Sequence, residues 1–287
     1  MSNYRIITDS CTDFPRDMIP SLDIDMVQLT LLFRGEELTD PSDEQIQTMY
    51  NALRAGESAS TSAVNPEGWK NVIKPVLDSG KDALVLVFSS GLSTTYQSAV
   101  MAAEELAEEY PQRTIKVVDT LCASLGQGLL VWYACKKRDE GLSLEELYTW
   151  VEDHKLNLCH WFTVDDLMFL KRGGRISAAT ALLGTMLNIK PVLHVDDDGH
   201  LISVSKCRGR KNALEALVKK LGTDGLPGEN DTVFISHGDC IEDAQYVANL
   251  CKEKYGVKEV IIGYVGGVIG SHSGPGTVAL FYLGEHR

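Results

Sequence analysis

Three short segments of the chain group side chains that can bind or activate an oxygen atom. Hydroxyl residues fill "SSGLSTT" at 89–95 and "STS" at 60–62, and His272 lies within "GSHSGPG" at 270–276. A serine beside a histidine can act as a nucleophile. Hydroxyls at a helix start can instead cap the helix, or hold an anion together with the free amides and the helix dipole. These residue types leave all three chemistries open.

A hydrolase or acyl transferase would use Ser93 as the nucleophile and His272 as its base. The nucleophile elbow has the pattern G-x-S-x-G, whereas "GLSTT" places Thr95 where the second glycine belongs. The mechanism also needs an acidic residue to orient the histidine and an oxyanion site, and the sequence places neither. This interpretation therefore remains an alternative.

A nucleotide-binding regulator is a further alternative, and the expected phosphate motifs do not support it. No G-x-x-x-x-G-K-[ST] occurs in the chain. The G-x-G-x-x-A pattern at Gly274, Gly276 and Ala279 lacks the acidic residue expected about 20 positions later. These glycines are more typical of a tight loop.

Two basic clusters stand out in an acidic chain. "KCRGRK" contains Arg208 and Arg210 at a predicted helix start, and "LKRGGRIS" contains Lys171, Arg172 and Arg175. Cations at a helix start oppose the helix dipole, so an acidic partner or a phosphate would explain the first cluster. A solvated surface is the simpler alternative for both.

The composition excludes several classes of function. A net charge of -13 and a pI near 5.0 argue against binding along a nucleic-acid backbone. No apolar run approaches the roughly 18 residues of a membrane span, so stable membrane insertion is not expected. The seven dispersed cysteines form no C-x-x-C pair, and the amino terminus does not have the pattern of a signal peptide. We therefore expect a cytoplasmic protein with reduced thiols and no metal.

The first half of the chain alternates predicted strands and helices, which is typical of a parallel sheet covered by helices. "YRIITDS", "ALVLVFSS" and "TIKVVDT" read as strands that end in polar residues. Helices are predicted from a capping box of Ser42 with Gln45 and from the Ala- and Glu-rich stretch after Thr95. Ligands collect at the carboxyl ends of such strands, so the hydroxyl loops are expected to meet there.

The second half predicts another α/β unit. "PVLHVDDDGHLISVSK" has the pattern of a β-hairpin, and "TVFISH" and "EVIIGYV" read as strands beside two predicted helices. The stretch "ISAATALLGTMLNIKPVL" has one charge in eighteen residues, and its small residues would leave room for an apolar channel. We place the domain boundary near residue 158, which gives domains 1–158 and 159–287.

Six segments together resemble the DegV family, the fatty-acid-binding subunits of bacterial fatty acid kinase. They are "TDSCTDFP", "STSAVNP", "SSGLSTTYQSA", "LKRGGRIS", "LLGTMLNIKPVL" and "GSHSGPG", and they span essentially the whole chain in the family's order. The resemblance implies two α/β domains with a fatty acid in an apolar tunnel between them. It also implies a lipid-binding subunit without catalysis of its own and without a cofactor, in which the bound long-chain fatty acid is the ligand.

The resemblance further implies which residues hold the ligand and which partner uses it. The carboxylate contacts fall on Thr61 and Ser93, with His272 close by and with Ser62 and Thr94 in the same loops. Members of the family present the bound acid to a separate kinase subunit, which uses ATP to make an acyl phosphate for phospholipid synthesis. We expect Arg172, Arg208 and Arg210 to help dock that subunit or to favour the incoming phosphate.

This chain departs from the family pattern at two places beside the expected head group. Thr94 stands where the family usually has glycine after the serine. The first hydroxyl loop has Ala63 in place of the usual glutamine, and its proline is displaced to Pro66. Both changes bear on the hydrogen bonding of the head group and on the preferred acyl chain.

Overall fold

A computed structural model describes residues 3–177 and 188–287 of the chain. The small residues at 178, 179, 181 and 184, which the sequence suggests as part of a channel wall, lie outside the described residues. In the described ranges the strands form three sheets. Their bounds in chain order are β1 Tyr4–Asp9, β2 Asp25–Val27, β3 Thr30–Phe33, β4 Glu36–Leu38, β5 Ala59–Ser62, β6 Asp82–Val87, β7 Ile115–Asp119, β8 Leu158–Thr163, β9 Ile189–Val195, β10 Leu201–Arg208, β11 Thr232–His237, β12 Glu259–Tyr264 and β13 Val278–Leu283.

The α-helices of the described ranges alternate with most of these strands. They span Ile19–Leu22, Asp43–Arg54, Pro66–Asp78, Thr95–Glu109, Leu125–Asp139, Leu144–His154, Leu167–Arg172, Arg210–Asp224, Ile241–Tyr255 and Gly267–Ser273. The capping box predicted at Ser42 and Gln45 forms, with both reciprocal hydrogen bonds present. Short 3-10 turns occupy Ser10–Thr12 and Lys155–Asn157.

The amino-terminal sheet is entirely parallel, as the alternating pattern predicts. Its order is β2-β1-β6-β7. Strand β6 lies in the interior and is apolar on both faces, because Leu84 and Leu86 pack into one core while Val85 and Val87 pack into another. The small antiparallel sheet β4-β3-β5 places Thr61 opposite Leu31. The sequence had suggested a loop where β5 runs.

The carboxyl-terminal sheet is mixed and has the order β10-β9-β8-β13-β11-β12. The first of these strands in chain order, β8, begins at Leu158, next to the predicted domain boundary. That boundary remains a prediction. The hairpin of β9 and β10 forms as predicted. The tight loop predicted at Gly274 and Gly276 forms as a turn with positive φ at both glycines, and it follows a helix, Gly267–Ser273, that the sequence does not predict.

The helix Leu125–Asp139 joins the two large sheets. It is buried on nearly all sides, and its core includes Leu129 and Leu130 together with Phe162 and Phe281 of the carboxyl-terminal sheet. Gly126 lies directly against that sheet, since a Cβ there would come within 2.2 Å of His160 Nε2. The two sheets therefore share one core around this helix, and a cavity lies at its amino-terminal end.

Candidate ligand site

A cavity of about 550 Å³ lies between the amino-terminal sheet and the carboxyl-terminal sheet. This volume is within the range of small-molecule sites, roughly 300–1,000 Å³. Most of its wall is apolar, and its larger side chains come from both halves of the chain. They include Leu29, Phe88, Phe162, Leu170, Val268 and Phe281.

Thr61 and His272 form a hydrogen-bonded pair in the cavity wall. Thr61 Oγ1 lies 2.8 Å from His272 Nε2, although the two residues are 211 positions apart. Strand β5 supplies the threonine and the helix Gly267–Ser273 supplies the histidine. Gly173 makes room for the ring, because a Cβ there would stand 2.3 Å from His272 Nδ1. The structure thus brings together two residues that the family resemblance assigns to the head group.

Ser93 and Thr94 line the same cavity from the start of the helix Thr95–Glu109. The Ser93 hydroxyl lies 2.8 Å from Thr95 Oγ1 and accepts the backbone N–H of Thr95 at 3.2 Å. Thr94 is exposed at its side chain and makes no side-chain cap. This loop therefore offers a hydroxyl and the first turn of a fifteen-residue helix to an anion.

Arg175 is the cation at this end of the cavity, and the sequence had placed it only within a basic cluster. Its Nε donates to the Leu92 carbonyl at 3.1 Å, and its Nη1 donates to the Gly173 carbonyl. Burial lowers the pKa of Arg175 below its usual value. Within residues 3–177 and 188–287, no carboxylate forms an ion pair with it. A half-buried cation of this kind favours an anionic ligand.

The imidazole of His272 is uncharged at neutral pH in this environment. Burial, and then the neighbouring Arg175 charge, lower the pKa of His272 to about 4. A neutral ring can donate one hydrogen bond and accept another. The positive charge that faces the cavity at this end therefore belongs to the guanidinium.

An outer cleft of about 380 Å³ lies on the other side of the same three residues. Thr61, Arg175 and His272 line both the inner cavity and this cleft. Arg172 borders the cleft and stacks on the Phe169 ring with its guanidinium carbon 4.4 Å from the ring centroid. An anion held by these residues is thus placed between an apolar interior and an accessible surface.

The arginines of the "KCRGRK" cluster have different surroundings. Arg208, at the end of β10, is exposed and has no ion pair with any residue in the described part of the chain. Arg210 lies 2.8 Å from Asp243 and 3.6 Å from Asp165. These carboxylates offset the unfavourable position of Arg210 in the first turn of its helix, so an external anion is not required to explain it.

Ser62 faces away from the other expected head-group residues, and Ser93 is not paired with His272 among the described residues. Ser62 follows Thr61 on β5 and points to the exposed face, because successive side chains of a strand alternate. Its hydroxyl makes only a 3.5 Å contact with the Ala63 carbonyl. For the hydrolase alternative, Ser93 bonds to Thr95 and His272 bonds to Thr61, so the nucleophile and its base are not paired among the described residues.

A polar network lies where the cavity meets the helix Leu125–Asp139. Ser124, which lines the cavity with φ 54° and ψ -147°, donates to Asp13 Oδ2 at 2.5 Å and lies 2.8 Å from Ser236 Oγ. Burial raises the pKa of Asp13 to about 7. The network joins the amino-terminal sheet region to β11, so it contributes to holding the two halves of the cavity together.

His160 closes another part of the cavity with both ring nitrogens satisfied. The backbone N–H of Ala123 donates to Nε2 at 3.2 Å, so Nδ1 carries the proton and donates to the Leu158 carbonyl at 2.7 Å. Burial lowers the pKa of His160 well below its usual value. This histidine is therefore a neutral structural wall residue.

Metal clusters and membrane-spanning helices are absent from the described residues. No group of three or more His, Cys, Asp or Glu side chains suited to a metal ion occurs in residues 3–177 and 188–287. Over the same residues, no helix has the length and apolar character needed to cross a bilayer.

Comparison with known proteins identifies the family. The family model described as "Uncharacterised protein, DegV family" matches residues 3–285. A DegV domain-containing protein of Clostridium perfringens is 45% identical over 289 residues, which cover 100% of this chain and 99% of the relative.

Two solved structures share the fold. A DegV lipid-binding protein from Thermotoga maritima is 31% identical with a TM-score of 0.86, and the match covers 100% of both chains. A DegV family protein from Thermus thermophilus, described by its fatty acid binding, is 32% identical with a TM-score of 0.86 over 98% of this chain and 99% of that one.

Proposed function

The chain belongs to the DegV family, and on that premise we propose that it binds a long-chain fatty acid and presents the carboxylate to a separate ATP-dependent kinase subunit. One observation carries the proposal. An apolar cavity of about 550 Å³ has, at one end, a half-buried arginine without an acidic partner among the described residues, next to the Thr61 and His272 pair. A long apolar tail with one terminal anion matches this arrangement.

The tail supplies the affinity in this proposal. Burial of a sixteen-carbon chain at about 0.8 kcal/mol per methylene contributes on the order of 12 kcal/mol before the costs of ordering are subtracted. The carboxylate is costly to bury alone, so Arg175, His272 and the hydroxyls of Thr61 and Ser93 make its burial tolerable. The relatives from Thermotoga and Thermus support the ligand class, since they are described as binding lipid and fatty acid.

Presentation to a kinase rests on the position of the head group and on the family resemblance. Thr61, Arg175 and His272 separate the inner cavity from the outer cleft, so a carboxylate held there can be approached from outside. In this proposal the protein holds the acid, and the partner supplies ATP and transfers the phosphoryl group. Arg172, Arg208 and Arg210 help dock that partner, and Arg172 and Arg208 are the exposed members of this set.

Extraction of the purified protein tests the ligand class directly. The protein is purified without added lipid and extracted with organic solvent, and the extract is identified by mass spectrometry. We expect free long-chain fatty acid in a molar ratio close to one. A protein that carries none, and that also fails to bind added palmitate, contradicts the proposal.

The head-group assignment is tested with Thr61→Ala combined with Ser93→Ala. Each lost hydrogen bond to a charged group costs about 1.5–3 kcal/mol, so the loss of two should reduce palmitate affinity by at least about 100-fold. Hexadecanol, which has no carboxylate, serves as the chemical control and should lose less. Unchanged palmitate affinity would remove these two hydroxyls from the site.

Docking is tested by charge reversal. Arg208→Glu should slow phosphorylation of bound palmitate when the kinase subunit is limiting, while palmitate affinity stays constant. Arg16→Glu is the matched control, because Arg16 is an exposed arginine of the amino-terminal half that pairs with Asp40. Equal rates for the two variants would show that Arg208 does not contribute to docking.

A further inference from the structure

Ser273 is a buried hydroxyl for which the cavity provides no protein partner. It ends the helix Gly267–Ser273, is 5% exposed and lines the cavity. Its Oγ has no hydrogen-bond partner within residues 3–177 and 188–287. Buried polar side chains are nearly always paired, so an unpaired one at a ligand cavity needs an explanation.

The neighbouring hydroxyls show that this chain region can pair its own serines and threonines. Ser271 Oγ donates to the Val268 carbonyl at 2.8 Å, one helical turn earlier. Thr277 Oγ1 donates to the carbonyls of Ser273 and Gly274 at 3.1 and 2.9 Å. Ser273 has no such bond among the described residues, although it lies between them and next to His272. The residue lines the cavity while its Oγ is buried in the wall, so a rotation about the Cα–Cβ bond is needed to bring the hydroxyl to a bound ligand.

We propose that Ser273 donates its hydroxyl proton to an acceptor oxygen at the carboxyl end of the bound acid. This inference rests on the proposed function and adds a residue to the site. A hydrocarbon tail cannot satisfy the hydroxyl, so the ligand segment that passes Ser273 carries oxygen. Adjacency to His272 places that segment near the head group.

The acceptor oxygen has two chemical sources. It belongs to the carboxylate itself, or to a hydroxyl or oxo substituent a few carbons along the chain. A carboxylate offers about four acceptor positions, and Thr61, Ser93, Arg175 and His272 already supply four candidate donors. A fatty acid with a second oxygen, such as 3-hydroxypalmitate, would therefore use Ser273 without displacing any of them.

The experiment compares Ser273→Ala with the matched variant Ser271→Ala, whose hydroxyl is bonded within the helix. Unfolding of the ligand-free proteins is measured first, after removal of bound lipid. Ser273→Ala should leave the denaturation midpoint unchanged or raise it, because the substitution removes an unpaired buried hydroxyl. A Ser273→Thr variant, which keeps the hydroxyl, guards against an effect of shape alone.

Dissociation constants for palmitate and 3-hydroxypalmitate then distinguish the two sources. If Ser273 contacts the carboxylate, Ser273→Ala weakens both acids by about tenfold. If it contacts a chain oxygen, the wild-type protein prefers 3-hydroxypalmitate, and Ser273→Ala removes that preference without changing palmitate affinity. Unchanged affinities for both acids overturn the inference. A wild-type protein that binds neither acid contradicts the proposed function instead.

Discussion

Replacement of Arg175 by methionine is the most direct test of the electrostatic argument. The guanidinium is half-buried at the end of the apolar cavity, and its two hydrogen bonds go to the neutral carbonyls of Leu92 and Gly173. Methionine matches the aliphatic stem of arginine, so it keeps that packing while it removes the charge and the donors. A bound carboxylate would then lose its charged partner, and the ligand-free protein would lose no ion pair with a described residue.

The expected loss of affinity follows from the hydrogen bonds to a charged group. One such interaction contributes about 1.5–3 kcal/mol, so the dissociation constant for palmitate should rise by roughly 10- to 150-fold. Partial exposure of Arg175 to the outer cleft reduces the effect, because solvent screens the charge. We therefore expect a value near the lower end of this range.

Titration calorimetry with palmitate and with hexadecanol provides the assay. Arg175→Met should weaken palmitate binding and leave hexadecanol binding nearly unchanged, because the alcohol carries no charge. Arg172→Met is the matched control, since Arg172 is exposed one turn away and stacks on Phe169. If Arg175→Met binds palmitate as well as the wild type does, or weakens both ligands equally, the assignment of Arg175 as the counter-ion is refuted.

Two further predictions concern titration. Burial raises the pKa of Asp13 from 3.8 to about 7. Between these two pH values the folded state retains a proton that the unfolded state releases. The free energy of unfolding should therefore fall as the pH rises from about 4 to about 7. In urea unfolding, Asp13→Asn should reduce the change in unfolding free energy between about pH 4 and pH 7 by on the order of 4 kcal/mol. The same pH dependence in the variant and in the wild type would contradict the reasoning. The pKa of His272 is about 4 in the free protein. An adjacent carboxylate stabilises the imidazolium. Saturation with palmitate should therefore raise the pKa of His272, as measured by an NMR titration of its side chain. A pKa that stays the same or falls would show that the carboxylate lies elsewhere.

Local sequence signals were sufficient for much of the amino-terminal half. Alternation of apolar strands with capped helices predicted the parallel sheet, and Ser42 with Gln45 forms the expected capping box. These features depend on residues a few positions apart, so their physics is contained in a short window of sequence. The hydroxyl cluster around Ser93, at the start of the helix Thr95–Glu109, is evident from the sequence for the same reason.

Strand β5 and the helix Gly267–Ser273 were not predicted, because each depends on distant partners. Strand β5 is short and polar, and it forms by pairing with β3. The glycine-rich helix packs against Tyr50, where a Cβ at Gly270 would come within 2.2 Å of the Tyr50 hydroxyl oxygen. Such close approach favours glycine and overrides its weak intrinsic preference for helix.

The sequence by itself determined which residues could bind an anion and that an acidic chain would not bind nucleic acid. Only the tertiary structure decided which of them share one site. It brought His272 to Thr61 across 211 positions, turned Ser62 away and paired Arg210 with Asp243. It also placed Arg175 at the cavity and left Ser273 without a partner in the described part of the chain. Charge pairing and burial depend on contacts between distant segments, and a linear pattern does not contain those distances.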